Sequence, residues 1–309
     1  MSDGAWERGG FEVHCVGPKG WQEVWESPTD FVECDCLGKF VVERQFRTID
    51  FTGQMILLGT GTSVGVPAIG CDCAVCTSSN AKNNRTRSGA ILGLPEGNLL
   101  FDTSPDLRHQ LLREGIGIVH SVVFTHEHAD HLHGLDDLRL FPFALGHAVP
   151  LYCSTLVESR IRTVFDYAFD RREPTHAAAA PQLQFHNIDT NAFRVLNTRL
   201  QPIPMIHGPN CNVLGFRFGN VAYCTDTNFI SDASLELMHG LDTLVLDALR
   251  HTPHPTHFSV EQALEVVERV RPKMTFLTHL SHDLDYESDN SQLPENVRLA
   301  YDGLRIPLT

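Results

Sequence analysis

Apolar and polar positions alternate along this chain at two spacings, one suited to strands and one to helices. Met55 to Leu58 is a short apolar run that ends in Gly59-Thr60-Gly61-Thr62-Ser63, which predicts a buried strand leading into a tight loop. Ala90 to Leu94 and Asn98 to Phe101 flank Pro95-Glu96-Gly97 and predict two strands joined by a turn. Ser104 or Thr103 is placed to cap a helix with Pro105 near its first turn, turning Leu107, Leu111 and Leu112 inward. Val119 to Phe124 reads as a buried strand, and Leu132, Leu135 and Leu138 give the following helix its apolar stripe. The proline-flanked, alanine-rich stretch from Arg172 to Pro181 reads as a surface loop or lid element, and residues 149–184 are expected to shape a pocket wall. Further strands are predicted at Phe193–Leu196, Asn212–Phe218, Val221–Cys224, Leu241–Leu246 and Met274–Leu277. Val260 to Val270 has helical spacing with Leu264 and Val267 inward. Short strands and helices interleave, and polar residues gather where strands end, which is the habit of layered α/β enzymes.

A length of 309 residues allows one large or two modest domains with a full core. Residues 1–54 read differently from the rest. They hold all three tryptophans, short strand-like runs at Phe40-Val41-Val42 and Phe46, and the pair Cys34 and Cys36. That pair is either a second metal site without evident partner ligands or two free thiols, the second being favoured. The expected division is an N-terminal extension over 1–54 and a main domain over 55–309. A formal net charge of -14 argues against general affinity for a nucleic acid backbone, while leaving a local basic cleft open. No apolar run approaches the ~18 residues of a membrane span, and the first residues lack the apolar centre of a secretory signal. The expected setting is therefore the cytoplasm, with no membrane partner; a homodimer is left open.

The densest chemistry lies at Thr125-His126-Glu127-His128-Ala129-Asp130-His131, directly after an apolar run. Three imidazoles and a carboxylate in six positions suit a borderline cation such as zinc. His126 and His128, two apart on an extended segment, can converge on one ion, while Asp130 and His131 open the next helix toward a neighbouring ion. Four ligands on one short segment cannot close two sites. His207, Asp226 and His279 are the distant candidates, each after an apolar run or in a polar loop. Cys71, Cys73 and Cys76 are too close together for an ordinary disulfide framework but well spaced for metal.

The segment 125–131 matches the H-x-H-x-D-H signature of the metallo-β-lactamase superfamily. Gly59-Thr60-Gly61-Thr62-Ser63-Val64-Gly65-Val66-Pro67 and Gly70-Cys71-Asp72-Cys73-Ala74-Val75-Cys76 further resemble the opening of its PhnP-like cyclic phosphodiesterase branch, over about residues 55–285. The resemblance implies a four-layer αββα sandwich with a dinuclear site at one edge. It implies His126, His128 and His207 on one metal, Asp130, His131 and His279 on the other, and Asp226 bridging, with Zn2+ or Mn2+ as the pair. It implies a structural Zn2+ on Cys71, Cys73, Cys76 and His282. It also implies a catalytic histidine upstream of His279, for which His257 is the candidate, with His254 and His251 as rivals. The implied activity is that of a metal-dependent phosphodiesterase on a small substrate, such as a ribosyl 1,2-cyclic phosphate, attacked by a water that the two metals share and activate; Asp130 and His257 are the catalytic residues. Asp102, at a strand end, is a candidate acceptor for a ligand imidazole. Arg85 and Arg87 are either substrate-phosphate contacts or an exposed basic turn. The rival readings are a tRNA 3′-processing type of nuclease, another hydrolase on the same scaffold, and a zinc-stabilised binding protein without catalysis.

Overall fold

The computed structural model describes residues 14–17, 20–23, 48–169 and 179–308. The chain divides into two compact units, 1–45 and 46–309. In the first, β1 (His14–Gly17) and β2 (Gly20–Glu23) pair as an antiparallel hairpin. Cys34, Cys36 and the strand-like runs near Phe40 and Phe46 lie outside the described residues, as does most of the loop expected from 172 to 181.

The second unit starts earlier than Gln54, which corrects the expected boundary. Phe51 is buried in the core, the Ile49 N–H donates to Gly115 O (3.0 Å), and the Gly53 N–H donates to Gly93 O (2.8 Å). An apolar side chain at 51 has its partners on the main domain, so the segment before the first long strand belongs to that domain.

Two seven-stranded sheets form the middle of this unit. The first contains β3 (Gln54–Gly59), β4 (Gly89–Leu94), β5 (Gly97–Phe101), β6 (Ser121–Val123), β7 (Val149–Cys153), β8 (Leu183–Asn187) and β16 (Leu304–Pro307), in the order β16-β3-β4-β5-β6-β7-β8. The second contains β9 (Phe193–Val195), β10 (Thr198–Ile206), β11 (Asn212–Phe218), β12 (Val221–Cys224), β13 (Thr243–Asp247), β14 (Met274–Thr278) and β15 (Val297–Leu299), in the order β15-β14-β13-β12-β11-β10-β9. Both sheets share one plan. Each has an antiparallel part and a parallel run, β5 to β8 in the first and β12 to β15 in the second.

The layers follow from strand alternation. Met55, Leu57, Leu92 and Phe101 face the second sheet and pack with Phe216, Tyr223 and Val245. Ile56, Leu58, Ile91 and Leu100 face outward onto α1 (Leu107–Arg113), α2 (Ala129–Leu132) and α4 (Thr155–Val164). Leu244, Leu246 and Leu277 of the second sheet meet α5 (Asp232–Glu236) and α6 (Val260–Val270) on its outer side. Strands covered on both faces read as unbroken apolar runs, which is why they were visible in the sequence. The result is the expected αββα sandwich, completed by α3 (Phe141–Leu145) and α7 (Tyr286–Asn290).

Local details depart from expectation in two places. The helix after Pro105 is capped at Asp106 without a side-chain hydrogen bond, and Leu112 points to solvent at 65% exposure while Leu107 and Leu111 are buried. The stripe of Leu132, Leu135 and Leu138 is buried as expected, but on α2 followed by a 3-10 turn rather than on one helix.

Candidate metal centre

Strand ends on one edge of the sandwich carry the chemistry. Asp102 follows β5, Thr125-His126 follows β6, Asp226 follows β12 by two residues, Asp247 closes β13, and His279 follows β14. Asp102, Asp226 and His279 have φ of 61°, 53° and 60°. Left-handed backbone costs energy in a residue with a Cβ, and such strain gathers at functional sites. Here it turns each side chain sharply out of its strand toward the gap between the sheets.

Two donor groups meet in that gap. The ligand atoms of His126, His128 and His207 lie within 4.8 Å of one another, and so do those of Asp130, His131, Asp226 and His279. His207, Asp226 and His257 form a third such set, so His257 belongs to the same cluster. Its ring lies 4.5 Å from that of His279 and 4.6 Å from that of His207.

Five of the imidazoles are held through Nδ1 by oxygen partners. His126 is bonded to Thr125 Oγ1 (2.9 Å), His131 to Asp102 Oδ2 (2.7 Å), His207 to Thr256 O (2.7 Å), His257 to Asp247 Oδ2 (2.7 Å) and His279 to Ser88 Oγ (3.0 Å). A partner on Nδ1 fixes the ring, the arrangement that metal-ligating histidines use, while the Nδ1 of His279 also lies 3.2 Å from Asp226 Oδ1. Asp102 also accepts from the Thr125 N–H and Oγ1, so one carboxylate anchors both His131 and the start of the histidine motif. Asp247 likewise accepts from the Thr227 N–H (2.7 Å), tying His257 to the loop that carries Asp226.

The residues fit divalent cations on three counts. His279 Nε2 is buried without a hydrogen-bond partner, although an orphaned buried polar atom is costly, and His131 Nε2 lies 3.3 Å from Asp226 Oδ1 and 3.4 Å from Asp130 Oδ2. His126 Nε2 and His128 Nδ1 face each other at 3.0 Å, two nitrogens directed at one point. The charges agree as well. Burial alone would lower His131, but the Asp226, Asp130 and Asp102 carboxylates outweigh it and push its pKa well above the ordinary histidine value. Surplus negative charge thus calls for a cation at this place. Burial holds His126 and His207 below the ordinary value and His279 down to about 3, so these three present neutral imidazoles. Burial raises Asp226 and Asp130, yet the neighbouring histidines dominate and keep both ionised.

The early cysteines make a separate cluster. Cys71, Cys73 and Cys76 Sγ lie 3.1, 3.6 and 3.4 Å from His282 Nδ1. Three thiols and one imidazole match a closed tetrahedral zinc shell. The Cys76 N–H, directed at Cys73 Sγ, pulls that thiol down to about 7, while burial pushes Cys76 up to about 11. Backbone bonds join the segment before this loop to the edge that carries His279: the Thr62 N–H donates to Leu280 O and the Leu280 N–H donates to Thr60 O.

Arg85 is not a substrate contact. It is buried at 1% exposure, and its guanidinium donates to Ser281 O (2.7 Å), Leu284 O (2.7 Å) and Asn83 Oδ1 (3.2 Å). The segment Ser281–Leu284 has carbonyls to satisfy inside the protein, and Arg85 satisfies two of them. Arg87 is committed to Asp106 through an ion pair at 3.2 Å and a backbone N–H bond. The rivals of His257 sit differently. His251 pairs with Asp289 at the surface, and the His254 ring lies 5.4 Å from that of His257. Asp247 had no role in the sequence reading, because its meaning depends on the side chain ten residues later that it meets in space.

Residues 97–280 match the β-lactamase superfamily domain. The chain belongs to the metallo-β-lactamase superfamily, a family of hydrolases, and is PhnP-like within it. A solved diphosphatase of the PhnP family is 43% identical, with a TM-score of 0.76, covering 82% of this chain and 96% of that one. An octanoyltransferase of Porphyromonas gingivalis is 35% identical over 255 residues, 81% of this chain and 51% of that protein. The chain therefore spans about half the length of that curated relative. The Zn2+-bound PqqB of Methylobacterium extorquens shares the fold at 18% identity, with a TM-score of 0.65 over 82% of this chain and all of that one. Proteins of this fold bind divalent metals. Among the described residues, no helix is long and apolar enough to cross a membrane.

Proposed function

We propose that this chain is a metal-dependent hydrolase of small phosphodiesters, a class that includes the ribosyl 1,2-cyclic phosphates implied by the sequence resemblance. The observation that carries this reading is the convergence of two donor groups across Asp226, with His131 Nε2 3.3 Å from Asp226 Oδ1 and His279 Nε2 buried without a hydrogen-bond partner. His126, His128 and His207 would hold one ion, Asp130, His131 and His279 a second, and Asp226 would serve both; imidazole and carboxylate donors suit Zn2+ and Mn2+ alike. Ions bound there supply Lewis-acid polarisation of a phosphoryl oxygen and a water acidic enough to act as nucleophile near neutral pH. Cys71, Cys73, Cys76 and His282 would hold a structural Zn2+.

The remaining work falls to the chain's own groups. Asp102, Ser88 and Thr256 keep the ligand rings from rotating. His257 holds a proton: burial lowers it, but the Asp247 carboxylate outweighs burial and raises its pKa above the ordinary value. Burial in turn raises Asp247 to about 6. An imidazolium at this place is suited to protonating a leaving alkoxide. The diphosphatase relative is named for breaking a P–O bond of a different kind, and a diphosphate is a second substrate to assay.

The test is turnover of bis(p-nitrophenyl) phosphate by the full chain reconstituted with Zn2+ or with Mn2+. Release of p-nitrophenolate is expected, abolished by a chelator and lowered by at least ~100-fold in Asp226→Asn. No release with either metal contradicts the proposal.

A further inference from the structure

Beside the metal cluster, on the same edge of the sandwich, lies a cleft of about 560 Å³. That volume is within the range of small-molecule sites. Its walls come from the ends of both sheets. Leu156 opens α4, Ile188 follows β8, Met205 and Ile206 end β10, Val213 starts β11, and Phe229 lies on the loop after β12. Lining residues of the cleft adjoin ligand candidates along the chain. Thr125 lines it and precedes His126; Ile206 lines it and precedes His207. Phe229 is three residues beyond Asp226, and its loop is laced to the His207 strand by the Ile206 N–H on Phe229 O (3.0 Å) and the Asn228 N–H on Ile206 O (2.9 Å).

Two properties of this cleft define what it takes. It keeps large apolar side chains in water: Leu156, Phe229 and Ile206 are 57%, 53% and 40% exposed. Exposed apolar surface gathered in one concavity beside a reaction centre gains by being covered. The cleft also lacks a cation. Among its described lining residues there is no lysine, arginine or histidine, and the one charged group is the carboxylate of Asp189. A second phosphate or a carboxylate on the substrate would meet no counter-charge there and would be repelled by Asp189.

From this we infer that the cleft is a substrate subsite for an uncharged, apolar arm, aliphatic or aromatic, carried by the phosphoester whose phosphorus sits at the metal cluster. The inference rests on the hydrolase reading and deepens it, because it separates apolar phosphodiesters from substrates with a second anionic group. The arm is held by burial rather than by hydrogen bonds, so affinity scales with the number of methylenes that enter the cleft.

The test is calorimetric titration of the metal-replete full chain with methyl-, butyl- and hexylphosphonate. A phosphonate supplies the anionic head and the alkyl chain probes the cleft. Each buried methylene is expected to tighten binding by roughly 3-fold to 4-fold. The chain-length dependence is expected to fall below about 1.5-fold per methylene in Leu156→Ser/Phe229→Ser. Both side chains are more than half exposed, so the variant should fold, and its methylphosphonate affinity and bis(p-nitrophenyl) phosphate turnover should stay within about 3-fold of the parent's. Equal affinity for all three probes in the parent overturns the subsite, whether the face is bare in solution or covered by a second copy. A length dependence that the double substitution leaves intact overturns it too. So does tighter binding of 3-phosphonopropanoate than of butylphosphonate. In each of these three cases continued diester turnover leaves the hydrolase reading standing. Absence of binding by every phosphonate, together with absence of turnover, removes both.

Discussion

At the scale of single residues, the cluster is arranged by the groups behind the ligands. Asp102 holds His131 at 2.7 Å and the Thr125 backbone at 2.8 Å. Asp102→Asn keeps the shape but removes the charge, and metal affinity at the catalytic pair is expected to fall 10-fold to 100-fold, read by competition with a chelating dye. His257 and Asp247 give a sharper test because their effect depends on the leaving group. A p-nitrophenolate departs without a proton, whereas an alkoxide needs one. His257→Ala is therefore expected to slow an alkyl diester by ~100-fold or more while slowing bis(p-nitrophenyl) phosphate much less. Asp247→Asn is expected to show the same selectivity in weaker form. Equal losses on both substrates would assign the pair a structural role instead. The histidines of the cluster were legible because they follow apolar runs or crowd into one short motif. Asp247 and the true place of Arg85 were not legible. The first acquires its partner only when β13 and the loop before α6 come together, and the second answers carbonyls on a turn almost 200 residues away.

At the scale of elements, parallel strands set the site by ending on one edge. Of those, β5, β6, β12, β13 and β14 were readable as apolar runs since they are buried. β7, β8 and β10 were not, because their exposed and buried positions mix, with prolines at 150, 202 and 204. The cysteine cluster matters through what it ties down. Cys73→Ser is expected to remove one equivalent of zinc by elemental analysis and to lower the melting temperature, with a smaller loss of turnover transmitted along residues 279–282. The turn into β5 carries a separate pH dependence. The Asn98 N–H donates to His120 Nδ1 (2.9 Å), which requires a neutral ring, and burial, helped by His147, holds the His120 pKa below 6.5. In that window the unfolded chain binds the proton and the folded one does not. The contribution of His120 to stability is thus full above pH 6.5 and is lost as pH falls through the folded-state value. Urea midpoints at pH 7.5 and 5.0 are expected to drop further in the parent than in His120→Gln; equal drops would remove His120 from the account.

At the scale of the whole molecule, the two similar half-sandwiches place their parallel strand ends opposite each other, and the cluster and the apolar cleft share the edge so formed. The fold class was legible from the alternation of apolar runs with helical stripes and from the histidine motif. The domain boundary was not, since the packing of Phe51 under the first sheet leaves no periodic signal. A chain with a formal net charge of -14 and carboxylates gathered at one buried centre is also expected to be stabilised by the ions it binds. The most direct measurement is anomalous X-ray diffraction from crystals of the protein reconstituted with zinc. Two adjacent peaks between His126, His128 and His207 on one side and Asp130, His131 and His279 on the other, with Asp226 touching both, are expected. A single peak there, or none, would contradict a two-ion hydrolase.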